Sequence, residues 1–103
     1  MTGETHRANE LRYVLFREEG AWVAICLEHF IGSQGRTREE AENGLKCAYR
    51  AELDHSREHS SFAFQGIMRA PDRFFELWES GSPDVVRGTI YDRHGVAEQA
   101  LAA

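Results

Sequence analysis

The chain has 103 residues, a mass of 11.7 kDa, a formal net charge of -5 and a pI near 5.5. That length fits one small domain, which buries only about two-thirds of its unfolded surface, so oligomerisation would add to a modest stability margin. The negative balance argues against the sequence-independent attraction to phosphate used by nucleic-acid binders and against an anionic membrane surface, and it favours a basic protein partner.

Residues 1–10 show no periodicity and read as a flexible leader. With Glu4, His6, Arg7 and Glu10 among small polar residues they lack a signal-peptide core, and no apolar run approaches the ~18 residues of a membrane span. A cytoplasmic location is expected. Leu11 to Arg17 then alternates, with Leu11, Tyr13 and Leu15 on one side and Arg12, Val14 and Phe16 on the other, which is the period of a strand. Glu18-Glu19-Gly20 makes a turn in which Gly20 supplies a positive φ. Ala21 to Leu27 is apolar on both parities, as expected of a central strand covered above and below. Glu28 to Phe30 breaks the pattern, and Ile31 to Gln34 can pair as a short third strand.

Gln34-Gly35-Arg36-Thr37-Arg38-Glu39-Glu40-Ala41 is the strongest local signal. The Thr37 hydroxyl can accept from the Glu40 N–H while the Glu40 carboxylate returns to the N–H of Thr37, a capping box, and the acidic pair Glu39–Glu40 suits the positive end of the helix dipole. The helix is expected to run from Arg38 to about Asp54, burying Ala41, Leu45 and Ala48, flanked by Tyr49 and Leu53. Glu52 falls within that apolar stripe; its stem can snorkel to the edge, the favoured reading, or it can meet an arginine such as Arg12. Cys26 and Cys47 do not make a disulfide framework and read as buried thiols in a reducing cytosol.

His55-Ser56-Arg57-Glu58-His59 matches H-x-x-E-H, a zinc-peptidase pattern. The helix is expected to be ending there, and neither a third ligand nor a substrate cleft is indicated, so no metal is expected at His55 and His59. Ser60-Ser61 reads as a linker and Phe62 to Met68 as an irregular extended segment against the sheet. Pro71 at the first-turn position announces a second helix, ended by Gly81, whose Phe74, Phe75, Leu77 and Trp78 form the most aromatic patch in the chain. From Ser82 onward Val85 to Tyr91 has strand composition interrupted by Gly88, and Val96 to Ala103 suits a fraying terminal helix.

The expected architecture is α+β: a three-stranded antiparallel sheet, one long helix (β-β-β-α), an extended segment, a short second helix and an additional C-terminal strand. Its divisions are a leader at 1–10, a domain at 11–81 and a C-terminal extension at 82–103. Catalytic groupings are not visible: no nucleotide-binding glycine fingerprint occurs, and Glu18, Glu19, Glu39, Glu40 and Glu42 lie on turns and outer helix faces. No catalytic or cofactor-binding residue is therefore assigned, and no cofactor is expected.

The run from Tyr13 to Leu53 resembles the HicB-like antitoxin fold, through Val23, Ala24 and Cys26 in the second strand and Gln34, Gly35, Thr37, Glu39, Glu40 and Ala41 where the helix begins. Leu27 stands where that family has a proline. The resemblance implies a partial ribonuclease-H-like sheet, oligomerisation and neutralisation of a small basic RNA-cleaving toxin. The run from Phe64 through Pro71 to Glu79 is similar instead to small bacterial proteins that share the HicB-like front end. The C-terminal half lacks a ribbon-helix-helix or helix-turn-helix, so direct DNA binding is not expected. The functional expectation is a non-enzymatic protein-binding module, possessing or lacking a toxin partner. The alternative is a divalent-metal nuclease on a ribonuclease-H-like scaffold, which would need carboxylates converging at the sheet; Leu11 to Arg17 and Ala21 to Leu27 contain none.

A homodimer is expected. The strand Ala21 to Leu27 is apolar on both faces, one helix covers one face, and the other needs the Phe64 to Trp78 region or a second subunit. The second helix folding back could cover that face alone, so the outer sheet edge, with no proline and few lysines, is the stronger argument. The candidate interface residues are Trp22, Phe30, Phe74, Phe75 and Trp78.

Overall fold

The structure, a computed structural model, describes residues 10–58 and 67–91. The leader up to residue 9, the Ser60-Ser61 linker, Phe62 to Gly66 and the terminal helix expected over Val96 to Ala103 lie outside the described residues.

The strand periodicity of the first third of the chain becomes a hairpin of β1 (Glu10–Glu18) and β2 (Ala21–Cys26), joined by Glu19 and Gly20 at φ 52° and 84°. Two consecutive positive φ values are the geometry whose twist matches a two-residue hairpin. The sequence pointed to Gly20 for this role; Glu19 shares it. The hairpin is flanked by β3 (Gly32–Gly35) on one side and β4 (Val86–Tyr91) on the other, giving an antiparallel sheet in the order β3-β2-β1-β4. β3 begins one residue later than expected because the Ile31 carbonyl already accepts from Cys26 at 2.9 Å as the chain turns. β4 runs through Gly88 without interruption, since the Tyr13 ring of β1 lies over it where a Cβ would otherwise stand. An aromatic ring covering a cross-strand glycine supplies the packing that the glycine lacks.

Two helices, α1 (Arg38–Glu58) and α2 (Asp72–Ser80), cover opposite faces of the sheet. On the α1 face Leu11, Tyr13 and Leu15 of β1 and Ala24 and Cys26 of β2 meet Ala41, Leu45, Tyr49 and Leu53. Val14 and Ile25, with Leu27 just beyond β2, meet Ala70 and Phe74 on the α2 face. Each fully buried leucine contributes about 1.5–3 kcal/mol relative to an exposed one. The second face, which the sequence left to the Phe64–Trp78 region or to a sister subunit, is covered by α2 of the same chain. Glu52 is half-buried on α1, and Arg12 points to the other face of the sheet, where it pairs with Glu28.

α1 starts as expected in outline. The Glu40 N–H donates to Thr37 Oγ1 at 3.1 Å, but the Glu40 carboxylate accepts from the N–H of Arg36 at 2.9 Å rather than from Thr37. Reaching one residue further still satisfies a main-chain donor ahead of the helix. The helix continues past Asp54 to Glu58, so His55 is inside it. α2 is too short to persist alone and is held by Phe74, stacked on Phe16 at 6.2 Å and tilted against Phe30 at 5.9 Å between ring centroids. Pro71 is its N-cap rather than a first-turn residue, and Gly81 closes it in the left-handed conformation. Ahead of α2 the chain lies along the β2–β3 connection, the Phe30 N–H donating to Met68 O at 2.6 Å and the Ala70 N–H to Leu27 O at 2.9 Å. No helix among the described residues is long and apolar enough to cross a membrane.

Candidate interaction surface

The described residues hold no group of three His, Cys, Asp or Glu side chains placed to share a metal ion. His55 is exposed on α1, and His59 lies outside the described residues. Of the two cysteines expected to be buried, Cys47 is instead exposed on the outer side of α1, whereas Cys26 is buried and desolvation pushes its thiol up to about 11. Tyr13 is pushed up to about 12, first by burial and then by donating to Glu42 Oε2 at 3.0 Å, where loss of the proton would set two negative charges together. Both groups therefore stay protonated at neutral pH, and a protonated thiol is a poor nucleophile.

What the fold does concentrate is arginine against aromatic rings. Eleven of the twelve basic residues are arginine. Along α2, Arg69 lies over the Phe75 ring at 4.1 Å, Arg73 over Phe74 at 4.5 Å and Arg87 over Trp78 at 6.0 Å. Beneath the helix Arg12 faces both Phe75, at 5.7 Å, and Trp78, at 5.4 Å. At the far end of the sheet Arg17 and Arg38 share the Trp22 ring, at 5.8 and 6.0 Å. A guanidinium over a ring face is attracted by the ring quadrupole and keeps its flat, weakly hydrated surface available to a partner.

The five expected interface residues do not form one patch. Phe74 is 6% exposed and belongs to the core, while Phe75 and Trp78 are half-buried on the same face. Phe30, 46% exposed, leans on Phe74 and opens outward. Trp22 is half-buried on the opposite face, packed against the α1 side of the core. Met68, 78% exposed, was not among the expected residues, yet its carbonyl is tied to Phe30 and together they make the open apolar border of α2. Nothing in the spacing of Met68 relative to Phe30 announces that contact, because it depends on the segment before α2 folding back along the β2–β3 connection. Asp72, Glu76 and Glu79 are exposed on α2, so acidic groups interleave with Arg73 of the helix and with Arg69 and Arg87 beside it. No family model, curated protein or solved structure matches the chain.

Proposed function

We propose that this chain is a non-enzymatic protein-binding module of the HicB-like antitoxin kind, acting as a homodimer that engages a small basic RNA-cleaving toxin. The observation that carries the reading is the exposed pair Phe30 and Met68 beside the ring-stacked Arg69, just ahead of α2, and Arg73 within it. Apolar anchors next to arginine and tryptophan have the composition of binding hot spots. The net charge of -5 supplies the sign that steers a basic partner. The motif from Gln34 to Ala41 supports the family reading, and its capping bonds show the role its threonine and glutamate play in starting a helix.

For the homodimer, support comes from the sheet edge now that α2 covers the second face. Among the described residues β4 is an edge strand, with one charged residue, Arg87, no proline, and an exposed Tyr91 at its end. Such an edge invites pairing, and β4 against β4 across a two-fold axis would extend the sheet through both subunits.

A pull-down from the native host tests the toxin reading, with wild-type protein and a Phe30→Glu/Met68→Glu variant as matched baits. Both positions are exposed, so the variant is expected to fold. Wild type is expected to recover a small basic protein that the variant does not; recovery of no such protein, or equal recovery by both, overturns the reading. Light scattering tests the dimer and is expected to report about twice 11.7 kDa at micromolar concentration. A monomer throughout the accessible range would remove it.

A further inference from the structure

Among the described residues the sheet is open at one corner. Even-numbered residues of β1 direct their main-chain groups to β2, as Arg12 does by accepting the Leu27 N–H at 2.8 Å, so the odd-numbered ones turn theirs toward β4. The β1–β4 pairing stops at Leu15 opposite Val86, and the next odd residue, Arg17, lies past the start of β4. Its N–H and C=O therefore face outward beside a groove of about 640 Å3 between the end of β1 and the turn that leads into β4. Trp22, Arg17 and Arg38 line this groove, and neither arginine makes an ion pair with a described residue. Two guanidinium groups over one indole repel each other, and Asp84 is the one carboxylate on the groove wall. On the other face of β1 a second groove is lined by Phe16, Phe74 and Leu77 together with Arg73, Glu18 and Glu76, whose two carboxylates disfavour an acidic side chain there, and the two grooves share Phe16, Arg17 and Leu77.

We infer that this corner binds an extended acidic peptide segment of a partner protein. The segment's main chain pairs with the N–H and C=O of Arg17. One carboxylate side chain lies between Arg17 and Arg38 beside Trp22, where it offsets their mutual repulsion through charge-assisted hydrogen bonds. Because strand side chains alternate between faces, the next side chain enters the Phe16–Phe74–Leu77 groove and is apolar. The occupant is thus a strand of alternating acidic and apolar residues added to an open sheet edge. This surface is separate from Phe30 and Met68, takes a partner segment of opposite charge to a basic toxin, and does not depend on the antitoxin reading.

The chain has two tryptophans, so a Trp78→Phe variant leaves Trp22 as the only reporter indole. It would be titrated with a short peptide alternating glutamate and leucine, with a lysine–leucine counterpart and with inorganic phosphate. The glutamate peptide is expected to change Trp22 emission saturably, and Arg17→Gln/Arg38→Gln to weaken its binding by about tenfold or more. The lysine peptide and phosphate are expected to leave the emission unchanged. Anisotropy of the labelled glutamate peptide with otherwise wild-type protein gives the same comparison should Trp78→Phe fail to fold. No binding at millimolar peptide, equal binding by the double variant, or full displacement by phosphate would overturn the inference.

Discussion

Arg12 and Glu28 are joined twice: the Arg12 Nε donates to Glu28 Oε2 at 2.7 Å, and the Arg12 main-chain N–H donates to Oε1 at 2.8 Å. One carboxylate thus fixes both a strand backbone and the charged end of its side chain, under the rings of Phe75 and Trp78. The pair links the central strand to the β2–β3 connection and to α2. With the two side chains only 22% and 15% exposed, solvent screens the pair weakly. Glu28→Ala is expected to lower the unfolding free energy by about 1.5–3 kcal/mol, the range for hydrogen bonds to charged groups. Denaturant unfolding measures it, and a double-mutant cycle with Arg12→Met separates the pair from its surroundings.

Thr37→Ala is expected to cost about 1 kcal/mol, the usual loss for an N-cap oxygen, and Thr37→Ser to cost little. Removing the Glu40 carboxylate with Glu40→Ala should cost a further, smaller amount by freeing the Arg36 N–H to solvent. Equal stability of Thr37→Ala and wild type in denaturant would show that α1 starts without this cap.

A methyl group at position 88 would overlap the Tyr13 ring. Gly88→Ala is accordingly expected to destabilise by about 1–3 kcal/mol, the scale of overpacking. In a Tyr13→Ala background the same substitution should become nearly neutral, because the ring is what fills the space. Thermal unfolding of the four variants closes this cycle.

Alkaline pH should weaken the fold through two residues. Cys26 rises from 9.0 to about 11 and Tyr13 from 10.0 to about 12 on folding. In that range the unfolded chain has released protons that the folded chain still holds, so stability falls as pH rises. The loss is expected to begin near pH 9, from Cys26, and to continue through pH 10–12 as Tyr13 joins. Well below pH 9 both groups are protonated in either state and neither contributes a slope. Cys26→Ala should remove the earlier part of the fall and Tyr13→Phe the later part, as read from denaturation midpoints across the alkaline range.

Much of this architecture is legible in the sequence because it rests on local rules. The parity of Leu11 to Phe16 and the two-sided apolarity of Ala21 to Leu27 each assign side chains to faces without knowledge of the partners. Thr37, Pro71 and Gly81 mark helix ends through bonds or backbone angles spanning a few residues. The surface was less legible. Arg12 with Glu28, Phe30 with Met68 and Arg38 with Trp22 meet only after the chain has folded across itself, and no periodicity encodes them. The spread of Trp22 and Phe74 to opposite faces shows the same limit, since aromatic content alone does not say which rings will share a patch.

The position of β4 also sets an order of assembly. The β1–β2 and β2–β3 pairings and the docking of α1 use neighbouring stretches of chain, whereas Glu10 pairs with Tyr91, so nearly the whole described chain lies within the loop which that pairing closes. Loop-closure entropy makes such a contact the slowest to be rewarded during folding, and the easiest to release afterwards at a sheet edge. Amide exchange should accordingly be faster in β4 than in β2. Each opening would bare the outward main-chain groups of Leu11, Tyr13 and Leu15 along with that of Arg17, so the strand at the centre of the molecule becomes, for that interval, its edge.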